Sequence, residues 1–212
     1  FKNAEHAADL FALKTPGYIY SRLMNPTQDV MEQRIAALEG GGGALAVASG
    51  TAAIHYAIIN ICSTGDEVVS SSNLYGGTYT MFDTILPQFG IRTRFVDPSK
   101  PEAFEAAINA RTRAIFVETI GNPALDVTDL EAVSAIARAH NLPLIVDGTF
   151  TTPYLLRAID HGADIVVNSV TKWMGGHGTG IGGVVVDAGR FDWTDPKFTL
   201  YNGHDPGYRG LR

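Results

Sequence analysis

Seven short runs of apolar, largely β-branched residues recur along the chain, separated by stretches in which apolar residues return every three or four positions. The runs are Ala44–Ala48, Glu67–Ser70, Arg92–Val96, Ala114–Glu118, Leu144–Asp147, Ile165–Asn168 and Gly183–Val186. Most are continuous rather than alternating, as strands buried on both faces are. The stretches between them carry helix signals. Thr27 is placed to cap a helix whose Met31, Ile35 and Leu38 share a face and which Gly40 to Gly43 end. Thr128 and Glu131 form a capping box ahead of Leu130, Val133 and Ala137. Pro101 suits a first helical position, with Phe104 and Ile108 one turn apart. Strand, helix, strand, repeated, predicts an α/β fold: right-handed crossovers and a mostly parallel sheet with helices on both faces. In such sheets ligands bind beyond the carboxyl ends of the strands.

Composition narrows the function more than the fold. The 212 residues carry a net charge of -6 and no run of basic residues, so neither nucleic acid nor an anionic membrane is an expected partner. Cys62 is the one cysteine, which rules out an internal disulfide and suits a reducing, cytoplasmic compartment. No apolar run approaches the roughly 18 residues of a membrane span, and the six histidines show no paired ligand spacing, so no metal is expected. The length fits one large domain. The chain opens at Phe1 and stops at Gly210-Leu211-Arg212, after a Gly-, Pro- and Asp-rich stretch, and is expected to be a piece of a longer protein.

Chemistry collects at the strand ends. The first strand runs into Ser49-Gly50-Thr51 and then a helical pattern over Ala52 to Ile61, a turn that presents free backbone N–H groups at a positive dipole end. Leu144–Asp147 ends in a carboxylate after apolar residues, which costs desolvation unless a cation or donors meet it. The strand Ile165–Asn168 leads into Ser169-Val170-Thr171-Lys172-Trp173 and a glycine cluster, a crowded mouth in which a lysine can become a usable amine nucleophile. One strand-helix-strand unit separates Asp147 from Lys172, so both can face one crevice. Gly178-Thr-Gly180-Ile-Gly-Gly183 satisfies a dinucleotide fingerprint but precedes a strand instead of opening a helix, so a nicotinamide cofactor is not expected.

Taken in order, these features resemble the Cys/Met-metabolism family of pyridoxal-phosphate (PLP) enzymes along essentially the whole chain. The stretches that carry the resemblance are Tyr20-Ser21-Arg22 with Asn25-Pro26-Thr27, Leu74-Tyr75-Gly76-Gly77-Thr78, Glu118-Thr119 with Gly121-Asn122-Pro123, and Ser169-x-Thr171-Lys172. The resemblance implies the large domain of a fold type I, aspartate-aminotransferase-like PLP-dependent transferase over 1–212. Residues 1–26 would be the remnant of an arm contacting a neighbouring subunit, and the small C-terminal domain, with its arginine for the substrate carboxylate, would lie outside the chain. It further implies that Lys172 bonds the cofactor aldehyde as a Schiff base and moves protons, that Asp147 pairs with the pyridine nitrogen, and that Tyr75 stacks on the ring. Asn122 would reach the 3-hydroxyl oxygen. Ser49, Gly50, Thr51, Thr149, Ser169 and Thr171 would complete the cofactor site, with Tyr20 and Arg22 reaching a neighbour's phosphate in a homodimer or homotetramer. Gly148 departs from the family, which usually has Asn there, and this could loosen the support of Asp147.

The stretch Lys172-Trp-Met-Gly-Gly-His-Gly-Thr-Gly-Ile-Gly-Gly resembles the O-acetylhomoserine sulfhydrylase branch. The implied reaction replaces the acetoxy group of O-acetyl-L-homoserine with sulfide, giving L-homocysteine and acetate for methionine biosynthesis. Cystathionine γ-synthase or a methionine or cystathionine γ-lyase is the alternative within the family. An inactive cofactor-domain fragment that serves as an assembly partner is the alternative outside it.

Overall fold

The computed structural model describes residues 1–204 and 207, so the end at Gly210-Leu211-Arg212 lies outside the described residues. Seven strands form one sheet: β1 (Gly43–Val47), β2 (Glu67–Ser71), β3 (Arg92–Val96), β4 (Thr112–Glu118), β5 (Leu144–Asp147), β6 (Ile165–Ser169) and β7 (Gly183–Asp187). Their spatial order is β1-β7-β6-β5-β4-β2-β3. The pairs from β3 through β2, β4 and β5 to β6 are parallel, whereas β7 runs antiparallel to both β6 and β1. The predicted strand-helix-strand rule fails at this one place. Residues 170–182 contain no helix to carry the chain back across the sheet, so β7 returns beside β6 in the opposite sense.

Alternate residues of the central strands feed two separate cores, as a period of two demands. Val68, Ala114, Phe116, Ile145 and Val167 pack under α3 (Gly50–Ile59) and the helical segment through Phe82 and Leu86. Val69, Ile115, Val117, Val146 and Val166 meet α2 (Pro26–Glu39), α5 (Pro101–Ala107) and α6 (Leu130–Ala139) on the other face. Helices therefore cover both faces, as the apolar runs predict. Shorter helices α1 (Ala4–Phe11), α4 (Gly76–Thr80), α7 (Thr152–Leu155) and α8 (Thr199–Asn202) complete the chain. No helix among the described residues is long and apolar enough to cross a membrane. Cys62 is a core residue, its thiol pushed up to about 12 by burial.

Local helix signals were displaced by better competitors. α2 is capped by Asn25, whose side chain accepts from Thr27 N at 2.8 Å, because Pro26 has a φ suited to the first helical position and no N–H to satisfy. Its buried residues are Ile35, Ala36 and Glu39, while Met31 and Leu38 stay exposed. Asp129 rather than Thr128 caps α6, accepting from Ala132 N at 3.0 Å, since it sits directly before the first helical residue. Thr128 instead donates to the Glu118 carbonyl at 2.6 Å. α3 begins at Gly50 rather than Ala52.

At the end of α2, Glu39 is 1% exposed and meets Asn168 of β6, whose Nδ2 donates to Glu39 Oε1 at 3.4 Å. Glu39 Oε2 and Asn168 Oδ1 have no other partner. Burial raises Glu39 to about 7, so its carboxyl is about half protonated at neutrality and protonated in mild acid. A raised folded-state value means the proton is held more tightly when folded. The stability it lends is present below the unfolded value near 4.5 and is lost as pH rises through about 7. Glu39→Gln keeps the shape and removes the titration. In denaturant unfolding the variant should match wild type at acid pH and exceed it in mild alkali by on the order of 2–3 kcal/mol.

Candidate active site

The carboxyl ends of β1, β4, β5 and β6 all reach one edge of the sheet, and a cleft of about 600 Å³ opens beyond them. At its floor the turn after β1 enters α3 through Ser49, whose Oγ accepts from Ala52 N at 3.1 Å. The N–H groups of Gly50 and Thr51 are the first of the helix, so no intrahelical partner exists for them. Gly50 is needed for close approach: a Cβ there would lie 2.5 Å from Ser169 Cβ and 2.8 Å from Ser169 Cα. The start of α3 is thereby seated against the end of β6. Among the described residues no hydrogen bond engages the Ser169 hydroxyl. It joins the two N–H groups in a cradle of donors at a positive helix end, a setting that favours an anion.

Asp147 lies at the end of β5, level with Glu118 of β4 in the strand register. Desolvation raises its carboxyl above the usual range, opposed by hydrogen bonds from Thr149, whose N–H donates to Asp147 Oδ1 at 2.9 Å. Thr149 also accepts from Ser169 N through its hydroxyl at 2.8 Å, tying β5 to β6. This anchoring replaces any help from position 148, where Gly148 packs against Asn168 and has room for little more: a Cβ would stand 3.3 Å from Asn168 Oδ1. A half-buried carboxyl with no ion-pair partner among the described residues is stabilised by a positive group placed opposite it.

Lys172 lines the same cleft on the loop after β6. Its side chain is exposed rather than crowded, because residues 175–181 around it are themselves exposed. Thr171 fastens this loop, its hydroxyl donating to the Gly182 carbonyl at 3.2 Å and accepting from Gly182 N at 3.1 Å. Of the five lysines in the chain, Lys172 alone lines the cleft. Tyr75 forms another wall. Its ring lies over Gly77, where a Cβ would come within 2.6 Å of Tyr75 Cε1, and about half of the residue remains exposed. Asn122 faces it from the turn after β4.

Ten of the residues expected from the sequence thus share one cleft. Tyr20 and Arg22 do not. They stand on the stretch before α2, where Arg22 Nη2 donates to Tyr20 OH at 3.3 Å and its guanidinium lies 5.3 Å from the Tyr20 ring centre. Arg22 borders an adjacent groove instead. Sequence reasoning missed Glu118, which is buried at the cleft floor and raised to about 8, by burial first and by Asp147 second. The signal was available, since Glu118 closes an apolar strand just as Asp147 does. Ile54, Thr78, Ile120 and Phe150 also line the cleft and carry no motif. The stretch from Gly178 to Gly183 leads into β7 with no helix, as its context required. Among the described residues no cluster of three or more His, Cys, Asp or Glu could hold a metal ion.

The profile of the Cys/Met metabolism PLP-dependent enzymes matches residues 1–204. An O-acetyl-L-homoserine sulfhydrylase of Leptospira meyeri is 52% identical over 212 residues, covering 100% of this chain and 48% of that protein. A homocysteine synthase of Schizosaccharomyces pombe is 51% identical over 214 residues, covering 100% of this chain and 50% of the other. The chain spans about half the length of these curated relatives. A Campylobacter jejuni crystal structure, provisionally named an O-acetylhomoserine (thiol)-lyase and containing N'-pyridoxyl-lysine-5'-monophosphate, superposes with a TM-score of 0.96 at 40% identity, covering 100% of this chain and 53% of that one. With a lysine, a strand-end aspartate and a cradle of backbone N–H donors in one cleft, and a family profile matching nearly its full length, the chain belongs to the Cys/Met metabolism PLP-dependent enzymes.

Proposed function

We propose that this chain is the cofactor-binding domain of an enzyme that replaces the acetoxy group of O-acetyl-L-homoserine with sulfide, releasing acetate and giving L-homocysteine for methionine biosynthesis. The observation that carries this reading is the convergence of Lys172, Asp147 and the Ser49-Gly50-Thr51 cradle in one cleft, in a chain half identical to sulfhydrylases of that substrate. The cleft suits PLP part by part. Gly50 N, Thr51 N and Ser169 Oγ would hold the phosphate, Asp147 a protonated ring nitrogen, Tyr75 the ring face and Lys172 the aldehyde. Bound there, the cofactor supplies an electron sink for a substrate carbanion. Lys172 Nζ would be the base in reach that takes and returns substrate protons. Asp147 keeps a positive charge on the ring side, and Tyr75 excludes water from one face. Assay of the full-length protein with O-acetyl-L-homoserine and sulfide should give homocysteine and acetate in equal amounts. Release of ammonia and a keto acid from cystathionine, without sulfide-dependent turnover, would instead favour the γ-lyase reading. That alternative has a structural neighbour of its own in a Lactobacillus plantarum cystathionine γ-lyase, at 40% identity and a TM-score of 0.81.

A homodimer or homotetramer with shared sites, in the cytoplasm, completes the proposal. Residues 1–26 would act as an arm, Tyr20 and Arg22 serving a neighbouring chain's phosphate, and a small domain beyond this chain would hold the substrate carboxylate. Support comes from the exposed Arg22 and Tyr20, which stand outside the cleft of their own chain, and from the bidentate geometry of arginine toward phosphate. Mixing full-length Arg22→Ala and Lys172→Ala proteins, each inactive, should restore part of the activity after subunit exchange, since one site of each mixed dimer then carries neither lesion. No recovery despite verified exchange would sink the shared site.

A further inference from the structure

Glu118 is the buried ionisable group in the cleft to which the proposed chemistry gives no task. It is 5% exposed, and no cation lies within ion-pair distance of it among the described residues. Instead its two oxygens take backbone N–H groups from two different loops. Oε1 accepts from Tyr75 N at 2.7 Å, across 43 residues of sequence, and Oε2 accepts from Asn122 N at 3.2 Å. These are the residues at the base of the Tyr75 wall and of the Asn122 turn. The two loops are tied a second time further out, where Asn73 Nδ2 donates to Asp126 Oδ1 and Ala124 N donates to Asn73 Oδ1 at 3.4 Å. The inner tie runs through a group that titrates. The charged groups that act on it are Asp147 on β5 and Asp126 beyond the turn, and Lys172 and Tyr75 line the same cleft; burial first, then Asp147 and Asp126, push its carboxyl up to about 8.

We propose that Glu118 is a positioning residue: its two carboxyl oxygens set the spacing between the Tyr75 ring and the Asn122 turn, and so fix how firmly the cofactor ring is gripped between them. This rests on the functional reading above, which assigns Tyr75 to the ring face and Asn122 to its 3-hydroxyl oxygen. Glu118 does not touch the reacting carbon, so its loss should appear in cofactor retention and ring orientation before it appears in the chemical step. A carboxyl group, neutral or ionised, can accept at both oxygens. A carboxamide of the same shape has one acceptor, and its NH2 must face one of the two backbone donors.

The test uses full-length Glu118→Gln. Wild type is first shown to bind PLP through Lys172; failure at that point would overturn the functional reading and this proposal with it. Expected for the variant are an apoprotein melting temperature at pH 7 lowered by no more than a few degrees, release of PLP about tenfold faster (one lost hydrogen bond of roughly 1.4 kcal/mol), a weakened visible circular-dichroism band of the bound cofactor, and kcat within about threefold of wild type. Unchanged release and dichroism in a wild type that binds normally would overturn the role of Glu118 alone. So would a fall in kcat beyond a hundredfold with release unchanged, which would make it a proton-transfer group. If the variant does not fold, amide hydrogen exchange of wild-type apoprotein decides. The protection factors of the Tyr75 and Asn122 amides should change together as pH crosses about 8, and independent behaviour would overturn the clamp.

Discussion

Lys172→Ala should abolish turnover in the full-length enzyme while leaving the fold untouched. Two losses combine. On the proposed reading the cofactor would lose its covalent attachment point, and the substrate carbon the amine that removes and returns its proton, a contribution on the order of 10²–10⁴ in rate by itself. The side chain is exposed and makes no ion pair among the described residues, so its removal should change apoprotein stability by less than about 0.5 kcal/mol. The loop keeps its shape because backbone groups hold it: Lys172 N donates to the Ser169 carbonyl at 3.1 Å and Gly176 N to the Lys172 carbonyl at 2.9 Å. Steady-state kinetics and thermal melts on the same preparation check both halves. Added methylamine should restore a fraction of the rate only if the missing element is an amine; activity near wild type would remove Lys172 from the mechanism.

Asp147→Asn should cost on the order of 10²–10³ in rate, the usual consequence of removing a preorganised charge from a site where charge develops. Its effect on folding should run the other way. Burial raises the Asp147 carboxyl, so in the apoprotein the stability tied to its proton is present below the unfolded value and is lost as pH rises. Asn has the same outline and can still accept the Thr149 N–H. Apoprotein of the variant should therefore equal wild type in acid and be the more stable of the two at neutral and alkaline pH. A residue kept for structure would lose stability when replaced; one kept for a cation brought by the cofactor gains it. Urea unfolding of both apoproteins at two pH values, alongside kinetics, separates the cases.

The sheet was legible because its signal is local. An uninterrupted apolar run such as Leu144–Val146, short and set between Pro143 and Asp147, reads as a strand buried on both faces, and each of the seven strands lies within two residues of its expected bounds. The antiparallel return of β7 was not legible, since nothing in residues 170–182 except the lack of a helical pattern marks it. Caps went astray by one or two residues because Asn25 and Asp129 compete with Thr27 and Thr128 for the same donors.

The site divides in the same way. Asp147 and Lys172 stood out as charged groups at the ends of apolar strands, and Ser49-Gly50-Thr51 as a turn into a helix. Their close seating depends on contacts no spacing reveals, such as Gly50 against Ser169. Glu118 ends its strand as Asp147 does, yet its partner Tyr75 N is 43 residues away and its task lies in joining loops. The acid–amide pair of Glu39 and Asn168 spans 129 residues and was out of reach of any local pattern.

Reduction of the full-length protein with borohydride in the presence of PLP, followed by tryptic mapping, bears most directly on the central claim. Lys172 lies between Arg157 and Arg190 with no other basic cleavage point, so a pyridoxyl group on it should block trypsin there and yield the uncut peptide Ala158–Arg190 bearing the added mass. A label on Lys2, Lys14, Lys100 or Lys197 instead, or no stable label at all, would contradict the assignment of Lys172 as the residue that holds the cofactor.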